Sequence, residues 1–113
     1  MKVIVAGSRT ITDYKTVACT IAASNLQIDE LISGGAKGVD SLGERYANYH
    51  GIPIKQFLAD WNLYGKKAGY LRNKQMAEYA DALILVWNGK SKGSGHMKEL
   101  AKKANLFIYE KIV

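Results

Sequence analysis

A chain of 113 residues, 48% hydrophobic and 23% charged, has the composition of one globular domain (1–113) with a modest core. Its single cysteine excludes an intrachain disulfide, no Cys/His cluster has metal-ligand spacing, and no apolar run reaches the length of a signal-peptide core or a membrane span. The formal net charge of +6 favours anionic partners, although a solvated lysine surface would carry the same charge.

Apolar runs alternate with helical patterns along the whole chain. Lys2–Ala6 is a short β-branched run, as in a buried strand. Gly7-Ser8-Arg9-Thr10 follows it and offers backbone donors, a hydroxyl and a guanidinium suited to phosphate, or else a tight turn with a solvated Arg. Asp13 is placed to cap a first helix that buries Val17, Ala18, Ile21 and Ala22, with Cys19 as a small buried residue. Glu30–Ser33 reads as the second strand. The turn Ser33-Gly34-Gly35-Ala36-Lys37-Gly38-Val39-Asp40 then leads into a helix over 40–49 with Val39, Leu42, Tyr46 and Tyr49 at inward spacings, ended by Gly51. Three glycines between a strand and a helix leave N–H groups uncovered at a helix N-terminus, a place for an anion. Asp40 either caps that helix, the favoured reading, or accepts from a ligand hydroxyl.

Pro53–Leu58 is predicted as a third strand at an edge, since proline cannot donate to a ladder. Asp60-Trp61 and Tyr64 follow it, as a hydrophobic plug or as rings to stack on a base. A helix over 66–80 buries Ala68, Leu71, Met76 and Tyr79 and carries Arg72 and Asn73 near its start, where an Arg is unfavourable for the helix dipole and so hints at function. Ala82–Trp87 is the most apolar run and the expected central strand. Asn88, Gly89, Gly93, Ser94 and Gly95 form a third glycine turn before a helix over 96–104 carrying Met97, Leu100, Ala101 and Ala104, and Leu106–Tyr109 closes the sheet. His96 and Glu99 at that helix start either bond locally, in a capping arrangement, or face the loop.

The β-α-β-α-β-α-β-α-β order predicts an α/β domain: an open, mostly parallel five-stranded Rossmann-like sheet with helices on both faces. Ligands of such sheets lie beyond the carboxyl ends of the strands, where the loops begin at Gly7, Ser33, Ala59 and Asn88. Seven of the eleven glycines fall in three of these loops, so they are expected to converge on one pocket. Neither the dinucleotide fingerprint G-x-G-x-x-G nor a Walker loop is present, so the ordinary nicotinamide and ATPase readings are poor. From Gly65 to Lys103 nine cations stand against three anions, so the second half carries most of the positive field.

Val3-Ile-Val-Ala-Gly-Ser-Arg9, Ser33–Asp40, Ala59-Asp-Trp with Tyr64-Gly-Lys-Lys-Ala-Gly69, Arg72-Asn-Lys-Gln-Met76 and Gly89–Met97 together resemble the YspA-like branch of the SLOG superfamily, over nearly the whole chain and in order. That superfamily joins the Smf/DprA DNA-processing proteins and the Lonely-guy phosphoribohydrolases. The resemblance implies a Rossmann-like fold that binds, senses or sequesters a nucleotide-derived molecule in phage or bacterial systems. The ligand-binding residues would be Gly7, Ser8, Arg9, Ser33, Gly34, Gly35, Ala36, Lys37, Gly38, Asp40, Arg72, Asn73, Asn88, Gly89, Gly93, Ser94, Gly95 and His96. The Lonely-guy branch further implies a catalytic pair, Arg72 and Glu99, that cleaves the N-glycosidic bond of nucleoside 5′-monophosphates. Here, however, His96 replaces a threonine, and a longer Asn88–Gly93 stretch replaces Pro-Gly-Gly. The DprA branch implies single-stranded DNA binding through a basic surface. A cytoplasmic protein with no metal, cofactor or membrane partner is expected, and exposed sheet edges predict a homodimer or tetramer.

Overall fold

The computed structural model describes residues 1–113. Five strands, β1 (Lys2–Gly7), β2 (Glu30–Ser33), β3 (Ile54–Gln56), β4 (Ala82–Trp87) and β5 (Phe107–Ile112), form one all-parallel sheet in the order β3-β2-β1-β4-β5. The order reverses between β1 and β4, which pair from Val3 opposite Ala82 to Gly7 opposite Val86. Both central strands are covered on both faces, which is why they read as unbroken apolar runs rather than alternating ones.

The helices divide between the two faces. Helices α1 (Tyr14–Ala23) and α2 (Val39–Tyr49) place Val17, Ile21, Val39 and Ala47 against Val3, Val5, Leu31, Ile84 and Val86. Helices α4 (Ala68–Tyr79) and α5 (Lys92–Lys103) place Met76, Ala77, Met97 and Ala101 against Ile4, Ala6, Ile32, Leu83 and Leu85. Successive residues of β1 and β4 thus serve opposite layers, as the two-residue period of a strand requires. Gly43 lets α2 lie close to the sheet, since a Cβ there would stand 2.7 Å from the Val5 side chain.

Several boundaries differ from the sequence reading. Strand β3 is shorter, and Trp61–Tyr64 forms a one-turn helix α3, capped by the Asp60 carboxylate accepting from the Leu63 N–H at 3.1 Å. Helix α4 therefore starts at Ala68 after a 3₁₀ turn over Gly65–Lys67. Helix α5 starts at Lys92, not His96: the Asn88 carboxamide accepts the N–H groups of Lys90 and Ser91, and Ser91 caps the helix through the Ser94 N–H. Strand β5 begins and ends later than predicted, at Phe107 and Ile112.

Some faces differ too. Cys19 is exposed, lying two residues and so more than half a turn from Val17, and Thr20 takes the buried place given to Ala22. Tyr49 and Leu71 are exposed, and Asn73 is buried instead.

Candidate functional site

The end of β1 is built by a glycine and a serine. A Cβ on Gly7 would stand 1.8 Å from the Val86 carbonyl oxygen, so only glycine lets the chain leave β1 against β4. The next residue, Ser8, is buried and ties three loops together. Its N–H donates to the Val86 carbonyl at 3.1 Å, and its Oγ accepts the Asn88 N–H at 3.2 Å. Its carbonyl accepts the Val39 N–H at 3.3 Å, the first amide of α2. The backbone N–H groups of Arg9 and Thr10 beyond it are engaged by no other part of the chain.

The β2–α2 turn is closed rather than open. Ser33 Oγ accepts the Gly35 N–H at 3.1 Å and donates to Glu44 at 2.6 Å, while the Asp40 carboxylate accepts the Ala36 N–H at 3.3 Å. Gly38 is the point of closest approach to the first loop: its φ is +76°, and a Cβ there would stand 2.4 Å from the Ser8 carbonyl oxygen. Glycine at this position serves contact between loops as well as a turn. Asp40 lies in the first turn of α2 with no side-chain cap on that helix, so its carboxylate turns back onto the loop.

Arg72 arrives from α4. Its Nη1 donates to the Gly34 carbonyl at 2.6 Å and its Nε to Asn73 Oδ1 at 3.0 Å, which holds the guanidinium beside Asp40 over Gly34. Asn73 Nδ2 in turn donates to the Gly93 carbonyl at 3.4 Å, so α4 is tied to the start of α5. His96 lies behind this contact, edge-on to Tyr70 with ring centroids 4.5 Å apart.

Together these parts enclose a cleft of about 310 Å³ at the carboxyl ends of β1 and β4. Its walls are Ala6–Thr10, then Ala36 and Asp40, then Arg72, Asn73 and Met76, then Asn88, Ser91, Gly93, Ser94 and Met97. Burial pushes the Asp40 carboxyl up to about 6, against the Ala36 N–H and the Arg72 charge, which favour its ionised form. Burial also pulls the Arg72 guanidinium below its ordinary value; Asp40 opposes the shift and Arg9 adds to it. The Arg72 guanidinium thus faces the Asp40 carboxyl, and Arg9 adds a second positive charge on the Arg72 side of the same cleft. Exposed Lys37 and Lys90 stand on the surrounding loops, Lys66 on the 3₁₀ turn and Lys92 at the start of α5.

Of the residues predicted for the site, Gly7, Ser8, Arg9, Ala36, Asp40, Arg72, Asn73, Asn88, Gly93 and Ser94 meet in this cleft. Ser33, Gly34, Gly35 and Gly38 shape the loop behind it, while Lys37 and Gly89 are exposed on the loops. Gly95 packs near Trp87, and His96 burial, with a smaller push from Lys103, lowers its basicity. Glu99 is separate: it is largely exposed, it faces Lys102 at 3.8 Å, and it lies more than half a turn from the inward-facing Met97. The structure does not bring Arg72 and Glu99 into one cleft. The sequence places Thr10 only within the Gly7–Thr10 turn and gives no sign that Ala6, Met76, Ser91 and Met97 line the walls; both methionines have core spacing and are core on their inner sides. No group of three or more His, Cys, Asp and Glu is placed to hold a metal ion, and no helix is long and apolar enough to cross a membrane.

The fold matches the X-ray structure of DNA processing protein A (DprA) from Streptococcus pneumoniae, with a TM-score of 0.79 at 20% identity. The match covers 96% of this chain and 49% of that one, so the chain spans about half the length of that neighbour. The Gene 61 protein of Mycobacterium phage D29 is 34% identical across 93% of this chain and 91% of its own length. The model of the YspA, cpYpsA-related SLOG family matches residues 1–64, which carry the first two loops of the cleft. The chain belongs to the YspA, cpYpsA-related SLOG family.

Proposed function

We propose that the chain binds a nucleotide-derived small molecule, with its phosphate between Arg9, Arg72 and the start of α5. One observation carries this reading: the cleft at the strand-order reversal joins two guanidiniums, the unengaged N–H groups of Arg9 and Thr10, and a helix N-terminus. Its 310 Å³ lies at the small end of ligand pockets, suited to a mononucleotide or part of a larger nucleotide. Asp40 is the carboxyl group positioned to accept from a ribose hydroxyl. Glu99 lies outside the cleft, so binding without cleavage is the reading supported here.

Thermal melting against AMP, NAD and ADP-ribose tests the reading. A ligand at a hundredfold its dissociation constant adds about 2.7 kcal/mol, or about 10 °C at this length. No shift with any nucleotide, at millimolar concentration, would overturn it.

A second reading, single-stranded DNA binding, is favoured by the match to a DNA processing protein and by the exposed lysines around the cleft. Its mark is affinity that falls steeply with salt as counterions are released. Self-association is proposed through the unpaired edge of β5, where Phe107 and Ile112 are exposed; sedimentation of the purified chain reads it.

A further inference from the structure

We propose that a shallow annex beside the cleft seats the ligand's nucleobase, stacked on Trp61. The inference rests on the cleft binding a nucleotide and says where the rest of that molecule goes. The annex, about 170 Å³, shares Arg9 and Arg72 with the cleft and adds Trp61, Lys66, Gly69 and Tyr70. Trp61 and Tyr70 are 50% and 48% exposed, a large apolar area to leave wet in an otherwise cationic spot.

Neither ring is loose. Trp61 begins the short helix capped by Asp60, and the far edge of its indole lies along Gly69, where a Cβ would stand 3.3 Å from it. Tyr70 is held edge-on by His96, with ring centroids 4.5 Å apart. Rings already ordered by the protein cost the ligand little to meet. The same Gly69 position lies 3.7 Å from Arg72 Nη2, so the indole and the guanidinium flank a single backbone site. A phosphate on Arg72 and a flat ring on Trp61 are therefore within the reach of one nucleotide. A nucleobase has apolar faces for the indole and polar edges for Lys66 and solvent; a sugar phosphate alone has no flat aromatic face for the indole.

The test compares AMP with ribose 5-phosphate on the full chain and on Trp61→Ala and Trp61→Phe. Stacking on one aromatic ring corresponds to roughly tenfold to a hundredfold in affinity. AMP should bind tighter than ribose 5-phosphate by that factor, and Trp61→Ala should erase the difference while ribose 5-phosphate binding stays unchanged. AMP should also quench the fluorescence of the native protein, and Trp61→Phe should bind AMP nearly as well with that quenching lost, since Trp87 is buried in the core. Equal binding of the two probes, or equal weakening of both by Trp61→Ala, would overturn the annex and leave the cleft reading standing. Binding of neither probe would overturn the cleft reading, and the annex with it.

Discussion

Asp40 is the residue whose chemistry decides how the cleft treats an anion. Its carboxyl titrates near 6 in the folded chain, against an ordinary value of 3.8. The folded state therefore keeps a proton that the unfolded state has already lost. Stability attributable to this group falls as pH rises from about 4 to about 6, and the full cost, about 3 kcal/mol, is present above that window. Asp40→Asn keeps an acceptor for the Ala36 N–H and removes the charge. It should raise stability by up to that amount at pH 8 and by nothing at pH 3.5, measured by urea unfolding at the two pH values. The same variant should tighten AMP binding at pH 8, with the advantage over the native protein vanishing below pH 5; taking the ratio of affinities cancels the titration of the phosphate itself. Arg72→Ala should act the other way. It deletes charge-assisted bonds of about 1.5–3 kcal/mol, a tenfold to hundredfold loss of AMP affinity by calorimetry. Glu99→Gln, outside the cleft, should leave that affinity unchanged within twofold.

At the scale of elements, a glycine that meets another loop behaves differently from one that meets nothing. Gly38 has a positive φ and a Cβ position 2.4 Å from the Ser8 carbonyl, so Gly38→Ala strains the backbone and pushes the two loops apart at once. Gly93 lies in the first turn of α5, with nothing within 4 Å of a Cβ, yet it lines the cleft. Gly93→Ala should therefore stabilise the chain by about 0.5–1 kcal/mol through helix propensity and at the same time weaken AMP binding. A melting scan and a titration on one sample separate the two effects, and a fall in both would mean that Gly93 is structural. This residue also marks where the sequence was hard to read. Strands β1 and β4 were legible because burial on both faces leaves unbroken apolar runs; Gly7, Arg9 and Asn88 followed from the strand ends, and Arg72 from its place near a helix start. The start of α5 was not, because two glycines mask a helix whose cap depends on Ser91 and the Asn88 turn before it. Nor was the closed state of the β2–α2 turn, since its amides are taken by Ser33 and Asp40 side chains whose direction no spacing reveals. The sequence leaves Trp61 open between a plug and a stacking ring, because helix α3 is too short to leave a periodic pattern.

At the scale of the molecule, the cleft has no wall of its own: every part of it is the end of an element anchored in one of two apolar layers. Arg72 and Ser94 belong to helices of the α4/α5 layer, while Asp40 belongs to a helix of the α1/α2 layer. The site keeps its geometry only if the two layers fold together. The sheet makes this so, because β1 gives Val3 and Val5 to one layer and Ile4 and Ala6 to the other, and β4 alternates in the same way. Loosening either layer frees side chains on strands that the other needs, so the layers should melt as one two-state unit. Trp87 reports on this from the α4/α5 layer, fixed by its Nε1 donating to Glu110 at 2.6 Å, while Ile21 is buried in the α1/α2 layer. In a Trp61→Phe background, where Trp87 is the remaining indole, Ile21→Ala should lower stability by about 2–5 kcal/mol. The Trp87 fluorescence transition in urea should shift by the whole amount and coincide with the loss of helix seen by circular dichroism. A Trp87 transition that stays in place while part of the helical signal melts early would show that the layers unfold separately, and the cleft would then be joined by loop contacts alone.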